Sequence, residues 1–390
     1  MFRLATWFCL LLAPAWLRAY DPPVSARPLR SVEDIRKLTY EESRLAPPVA
    51  LKVTVLSHLP DGFDAQDGSG GLFFEYPPDK LPRIGDEIAV AGNAAGGFHG
   101  PYVIVDGLER LGSKPPPKAL HFRPDFVQTG LGDNRWVEIE GLMVDVKFGE
   151  SKREGRGLLV TGQSDLVIRF RNAHEDFDVE KLERLVGSWV RLQGSGAPLF
   201  NDQQQRIGSD FFCARQPFVS VIEPTAGSAP VRLDEIGRWD SRRTRQGLVE
   251  TSGTVTLVEG PSSLVVQAGA HGARVRTLAS VSVSVGEPVR LTGLPETEGY
   301  FVGLRYATIV PSETGGAPAE PVEDDAPLSR EHAFQLVTFS GRLIEKGRGL
   351  INLQSDESLV PVSVPPGLAA TLPPEGSELR VRGVKRVDAD

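Results

Sequence analysis

The sequence predicts an all-β protein of four small barrels in tandem, with short lead-in helices. Three observations carry this expectation. A glycine-bracketed strand pattern occurs four times, a longer strand precedes each copy, and Pro-rich stretches separate the copies. Composition agrees. The 390 residues are 40% hydrophobic and include 41 Gly and 31 Pro, which is turn-rich but below the level of collagen or low-complexity chains.

The chain opens on a secretory-type signal at residues 1–19. Arg3 supplies the positive start, Leu4 to Ala15 is an apolar run broken by Pro14, and Ala19 suits cleavage. Leu17 suits the site less well, so an uncleaved N-terminal anchor is the alternative. Removing residues 1–19 deletes two arginines and no acid, taking the formal net charge from −8 to −10. It also removes Cys9 and leaves Cys213 without a disulfide partner. No other run approaches the ~18 apolar residues of a membrane span. The mature chain is therefore expected to be periplasmic or secreted, with no membrane span.

Residues 20–48 read as a lead-in segment, with Ser31 as N-cap of a short helix and acids in its first turn. Unit one covers 49–112. Its first strand is Val49 to Leu56, followed by a hairpin through Asp67-Gly68-Ser69-Gly70-Gly71, whose glycines supply positive φ. The bracketed strand Gly85-Asp86-Glu87-Ile88-Ala89-Val90-Ala91-Gly92 alternates apolar and polar residues, and Tyr102 to Leu111 makes a fifth strand. Residues 113–134 form a Pro-rich linker.

Unit two, 135–223, repeats the order with Trp136 to Val146, the bracket Gly187 to Gly194 and a fifth strand from Phe211 to Ile222. It adds a helix with Asp178 as N-cap. Residues 224–247 hold a linker and a second lead-in helix starting near Leu233. Unit three, 248–311, has Leu248 to Val258, the bracket Gly286 to Gly293 and Tyr300 to Val310. A Pro-rich, acidic linker at 312–328 precedes unit four, 329–390, with Gln335 to Ile344 and the bracket Gly376 to Gly383. Only Val384 to Asp390 follow that bracket, so two outcomes are open: a short final strand, or an open barrel whose edges accept a partner's strand.

Gly141, Gly253 and Gly341 fall within the first strands of units two to four, where Val53 stands in unit one. A small barrel bends its first strand sharply so that it serves both halves of the sheet, and glycine permits this. A longer period is also visible: Ile35 and Ile236, and Gly92 and Gly293, are both 201 residues apart. The chain thus reads as a duplicated module of about 200 residues, each a lead-in plus two barrels. Five short strands in this order predict OB-like barrels, with a β-sandwich as the competing arrangement.

Val32 to Leu38, Gln66 to Phe73, and Asp133-Asn134-Arg135-Trp136-Val137-Glu138-Ile139-Glu140-Gly141 make residues 30–310 resemble the tandem OB-like extracytoplasmic regions of bacterial sensor histidine kinases. The resemblance implies a sensing or interaction region without catalytic residues of its own, and a membrane signalling protein as partner. The transmembrane and kinase parts of that family are not in this sequence.

Chemistry is sparse. There is no Gly-x-Ser-x-Gly, Walker loop or His-Glu-x-x-His motif, and the six histidines show no i, i+4 pair, so neither metal nor cofactor is expected. Asp61, Asp64 and Asp67, spaced by three, read as a turn rather than a cation loop, because Asp64 alternates with Phe63 along a strand and Asp67 can bond its own backbone. Asp145, Glu150 and Glu154 are the carboxylates from which a composite enzymatic site between barrels would be assembled. Single-stranded nucleic-acid binding needs stacked aromatics over a basic groove. Arg169 with Arg171, and Arg242, Arg243 and Arg245, are the candidate basic groups, against a mature charge of −10.

The leading expectation is a non-enzymatic, exported, sensor-like module that binds a ligand or protein outside the cytoplasm. The exported nucleic-acid binder and the composite-site enzyme are its alternatives. OB barrels bind on the face around strands two and three. That places the candidate ligand-binding residues at Phe73, Phe74, Tyr76, Phe98, His99 and Tyr102.

Overall fold

The computed structural model describes residues 27–386 except 98–99, 162–163, 204, 226, 239–246, 299–300, 313–320, 357 and 370. Residues 1–19, Phe98, His99 and the Arg242 to Arg245 cluster lie outside the described residues. Barrel one comprises β1 (Pro48–Leu59), β2 (Gly62–Gln66), β3 (Gly71–Glu75), β4 (Asp86–Gly97) and β5 (Gly100–Ser113), closed in the order β1-β2-β3-β5-β4. Barrel two is preceded by β6 (Leu120–Phe122) and built from β7 (Trp136–Phe148), β8 (Gly155–Thr161), β9 (Ser164–Phe170), β10 (Trp189–Phe200) and β11 (Arg206–Cys213), with β12 (Val219–Glu223) beside β10. Barrel three follows β13 (Ala229–Pro230) and contains β14 (Val249–Gly260), β15 (Ser263–Ala268), β16 (His271–Thr277), β17 (Pro288–Glu298) and β18 (Phe301–Pro311).

Pairings β7–β10 and β14–β17 close barrels two and three as β1–β4 closes barrel one. In each, strand five runs parallel to strand three: β5 with β3, β11 with β9, β18 with β16. This is the OB arrangement, and the sandwich alternative falls away. Unit four holds β19 (Val322–Glu323), β20 (Leu336–Lys346), β21 (Leu350–Ser355), β22 (Ser358–Ser363) and β23 (Glu378–Val384). Here β23 pairs only with β20, and the outer edges of β22 and β23 have no ladder partner among the described residues. Barrel four is open on its strand-five side.

The bracketed segments are strand four in every unit. The opening glycines Gly85, Gly187, Gly286 and Gly376 have φ of 87°, 86°, 92° and 91°. An L side chain is strained there, so the same turn recurs four times because glycine recurs. The inward positions Ile88 and Val90, Val190 and Leu192, and Val289 and Leu291 are buried, as period-two alternation requires. Each closed barrel has its own apolar core, whereas the fourth core is smaller and centred on Leu343, Ile351 and Leu353.

Strand one serves both halves of each barrel. It passes from strand four to strand two at Thr54, Leu142, Thr254 and Arg342. The register shifts that bend it lie beyond these points, between Met143 and Asp145 for example, and not at the mid-strand glycines. The glycines answer a different need: a Cβ at Gly141, Gly253 or Gly341 would lie 2.8–2.9 Å from a strand-two carbonyl oxygen.

Three further differences from the sequence reading have physical causes. The fifth strand expected over Phe211 to Ile222 breaks into β11 and β12, because Pro217 sits in a 3₁₀ turn at Gln216–Phe218 and cannot donate to a ladder. Stretches read as linkers contain β6, β13 and β19, each running parallel to the following first strand, as the Leu29–Val49 bridge does in barrel one. The lead-in of the second module is a 3₁₀ helix, Leu233–Arg238. In the first module Ser31 caps α1 (Val32–Arg36) as expected, accepting from the Asp34 N–H at 3.1 Å. A second helix, α2 (Tyr40–Arg44), is held by a capping box between Thr39 and Glu42.

Barrels within a module meet through one repeated device. Gln66 Oε1 accepts the Trp136 N–H at 3.1 Å, and its counterpart Gln267 Oε1 accepts the Leu336 N–H at 2.7 Å. Gly71 and Gly272 admit the backbones of Asn134 and Phe334, which share a left-handed φ of 57° and 60°. The duplication therefore extends to how two barrels join. Gln267 is fully buried, so Gln267→Ala strands a buried N–H and is expected to cost about 1–3 kcal/mol, with Gln66→Ala at the lower end. Calorimetry of the purified chain checks this; no shift in any transition would contradict the shared seam.

Candidate binding surfaces

The aromatic residues predicted to bind ligand divide by strand alternation. Phe74 is fully buried and stacks on Phe63 at 5.4 Å between ring centroids, so it belongs to the core of barrel one. Tyr76 packs edge-on against Phe63 at 6.3 Å and closes that core from its rim. Phe73 and Tyr102 sit together on the outer face of β3 and β5, half-buried, with centroids 6.3 Å apart. Burial and the neighbouring Glu75 both raise the Tyr102 phenol above its usual value. An acid beside this aromatic pair disfavours a nucleic-acid backbone there.

Of the candidate basic groups, Arg169 and Arg171 are neutralised as well. Arg169 pairs with Asp210 at 2.5 Å and Arg171 with Glu154 at 2.8 Å. Asp145 pairs with Lys147 at 3.2 Å, so two of the three carboxylates considered for a composite site, Asp145 and Glu154, are engaged in separate surface ion pairs. His121, Glu138 and Glu140 bring ligand atoms within 4.8 Å of one another. The Arg191 guanidinium already occupies that cluster, 2.6 Å from Glu140 and 3.4 Å from Glu138, so a cation would have to displace it. Cys213 is buried, and desolvation holds its thiol far above the usual range, which makes it an inert core residue.

Asp64 and Asp67 of the first hairpin have separate tasks. Asp67 Oδ1 accepts the Ser69 and Gly70 N–H groups at 2.7 and 3.1 Å, the turn role expected of it, and Oδ2 accepts the Val32 N–H at 2.8 Å. Asp64 instead points into the seam with barrel two and is fully buried. It accepts from Ser195 Oγ at 2.6 Å and Asn134 Nδ2 at 2.7 Å, while Ser57 and Ser195 form a short hydroxyl contact beside it. Desolvation outweighs these bonds and raises its carboxyl to about 7. In the second module Leu257 and Val265 take the places of Ser57 and Asp64, so this polar cluster belongs to the first seam alone.

One concavity was not located by sequence reasoning. A groove of about 890 Å³ lies between β14 of barrel three and the open side of barrel four. Thr256, Leu257 and Val285 line one wall; Val360, Val362 and Val381 line the other. The matching surface of barrel one is covered. There Leu56 and Ile84 pack against Trp136, Ala214 and Phe218 of barrel two. Ile84 is 6% exposed, whereas Val285, which occupies the same position before the same turn, is 64% exposed. The signal that would have found it is the 201-residue offset, which puts Val285 in the place of Ile84.

No helix among the described residues is long and apolar enough to cross a membrane. No family model and no curated protein matches the chain. Among solved structures, a protein described as an aspartyl-tRNA synthetase from Leishmania major Friedlin aligns at 12% identity and a TM-score of 0.24 over 35% of this chain, which spans 26% of that protein. A murine DNA-binding protein bound with double-stranded DNA gives 8% identity and a TM-score of 0.20, covering 45% of this chain and 99% of that one. A multidomain protein with nucleic acid binding domains from Streptococcus pneumoniae TIGR4 gives 9% identity and a TM-score of 0.12, covering 71% of this chain and 77% of that one. Similarity at this level carries no argument about what this chain does.

Proposed function

We propose that the chain is a non-enzymatic, exported binding module, sensor-like in organisation, that takes a protein partner in the groove between barrels three and four. One observation carries this reading: an apolar wall centred on Val285 is uncovered in the second module while its counterpart in the first is buried by another barrel. A concavity with these apolar walls, whose Lys385 and Arg386 are paired with Asp324 and Glu259 of the same lining, suits a protein surface better than a nucleic acid, whose affinity rests on phosphate contacts. The signal-like residues 1–19 place the encounter outside the cytoplasm, in the periplasm or beyond, and the kinase-ectodomain resemblance makes a membrane signalling protein the natural partner class.

A photo-crosslinking amino acid at Val285 tests this in the native compartment, with the same group at the exposed Leu45 as control. Discrete protein adducts from position 285 and none from position 45 are expected. Adducts to nucleic acid, retardation of a single-stranded oligonucleotide at 0.15 M salt, or turnover of an ester, glycoside or phosphate substrate by the purified chain would contradict the reading.

A further inference from the structure

We infer that the cleft between the second lead-in and barrel three is a binding site for a small organic cation, a molecule carrying ammonium groups on a short alkyl chain. The cleft shares no lining residue with the groove between barrels three and four and stands apart from the protein-binding reading above.

The first module shows the same place closed. There the turn between β2 and β3 is tied to α1: Asp67 Oδ2 accepts the Val32 N–H at 2.8 Å, and Ser69 Oγ accepts the Glu33 N–H at 3.0 Å. Gly70 lies so near that a Cβ on it would touch Val32 at 3.5 Å. Counted on by the 201-residue offset, Asp67 becomes Ala268, Ser69 becomes Ala270 and Gly70 becomes His271. Neither alanine side chain can accept a hydrogen bond, and the close contact at Gly70 leaves no room for an imidazole. In the second module a cleft of about 660 Å³ lies between this turn, the lead-in and β14. That volume suits a small molecule.

The wall formed by strand one changes its chemistry at the same place. Val49 and Val249 are equivalent, since each pairs with the closing glycine of its bracket. The next three residues are Ala50-Leu51-Lys52 in barrel one and Glu250-Thr251-Ser252 in barrel three. Thr251 is 4% exposed and lines the cleft, and its hydroxyl has no hydrogen-bond partner. An unpaired buried hydroxyl is costly, and barrel one carries leucine there, so packing alone does not call for threonine.

The charges of the lining select the ligand. Glu235 of the lead-in and Glu250 of β14 are both half-buried, and neither makes an ion pair among the described residues. Glu250 Oε2 accepts a long bond from Ser228 Oγ at 3.5 Å. Arg232 is paired with Asp234 at 2.9 Å, so the two glutamates leave the lining at −2 with His271 neutral. A lining of this sign repels phosphates and carboxylates. No Phe, Tyr or Trp stands in it to stack on a sugar or a base. Carboxylates on two walls can accept N–H groups from the two ends of a diamine, while Val231 and Leu233 offer apolar contact to its methylenes.

The test is isothermal titration calorimetry of the full mature chain with 1,4-diaminobutane at 0.15 M salt, where general attraction to a negative protein is screened. One-site binding with Kd below about 1 mM is expected. Butane-1,4-diol and glutarate, of similar length, should not bind. Glu250→Ala, which restores the residue of barrel one, should weaken binding at least about tenfold. Thr251→Val keeps the shape and removes the hydroxyl, so affinity should fall about fivefold while the melting temperature holds or rises. Glu109→Ala, an exposed acid on β5, should bind as wild type does. Absence of saturable diamine binding, equal affinity in Glu250→Ala or Thr251→Val and wild type, or tighter binding of glutarate or the diol would overturn the inference. Crosslinks at Val285 do not depend on any of these outcomes.

Discussion

Gly92→Val and Gly194→Val should each destabilise their barrels by about 3 kcal/mol or more, while Gly383→Val should change stability by less than about 0.5 kcal/mol. The three positions are identical in sequence context: each closes a Gly-x-x-apolar-x-apolar-x-Gly bracket. They differ only in what crosses them. At Gly92 and Gly194 the added carbon meets a carbonyl oxygen of strand five, which is backbone and cannot rotate away. Relief requires strand five to lift, and that exposes Val103 in barrel one or Phe211 in barrel two, both fully buried. Buried side chains of this size contribute about 1.5–3 kcal/mol each, which sets the scale. Gly383 meets nothing, and valine favours a strand, so substitution there is tolerated. Scanning calorimetry checks the trio. In a chain of several domains the informative quantity is the shift of each resolved transition rather than a single global value.

The second large effect concerns Asp64. Its carboxyl is raised to about 7 in the folded chain, from an ordinary value of 3.8, so the folded state holds its proton more tightly than the unfolded state does. Below about pH 4 both states are protonated and the cluster is at its most stable. As pH rises through 7 the folded carboxyl must ionise inside the seam, and that stability is lost. Between pH 5 and pH 8 this group alone should remove roughly 2.5 kcal/mol. Asp64→Asn keeps the shape and cannot ionise, so the variant should match wild type below about pH 4 and exceed its stability near pH 8. The comparison must be made as a difference between the two proteins. Glu42 and Glu87, whose carboxyls are held low by their hydrogen bonds to Thr39 and Lys114, give the opposite slope at acid pH in both. Parallel stability curves for the two proteins across this range would show that the seam leaves Asp64 ionised at all pH values.

The barrel framework was legible because it depends on local backbone requirements. A turn that needs φ near 90° shows itself as glycine at 85, 187, 286 and 376, and a half-buried strand shows itself as alternation after each one. The 201-residue offset between the modules survived because the same close approaches recur, including Gly71 against Asn134 and Gly272 against Phe334. Alternation also separated Phe73 from Phe74 in principle, although not which of the two faced outward.

What was not legible is mostly contact between distant segments. Asp64 looks like a hairpin residue, and nothing near it in the chain announces Ser195, which lies 131 residues away. The break in strand five of barrel two could have been read from Pro217. The parallel strands β6, β13 and β19 are two or three residues long and lie within Pro-rich stretches, where composition hides pairing. Helix α2 has only five residues and buries only Ser43, so it shows no apolar stripe, and only the Thr39–Glu42 spacing marks it. The groove beside Val285 is invisible to composition, because it is lined by distant segments of units three and four.

Amide hydrogen exchange on the free, full-length protein measures the central claim most directly: that three units are closed barrels and the fourth is open beside strands three and four. Outward-facing amides of β22 and β23 should exchange about 100-fold faster or more than those at the corresponding positions of β16 and β17, where β18 covers both edges. Matching protection at the two sets of edges would mean that barrel four is already closed, and would contradict the account.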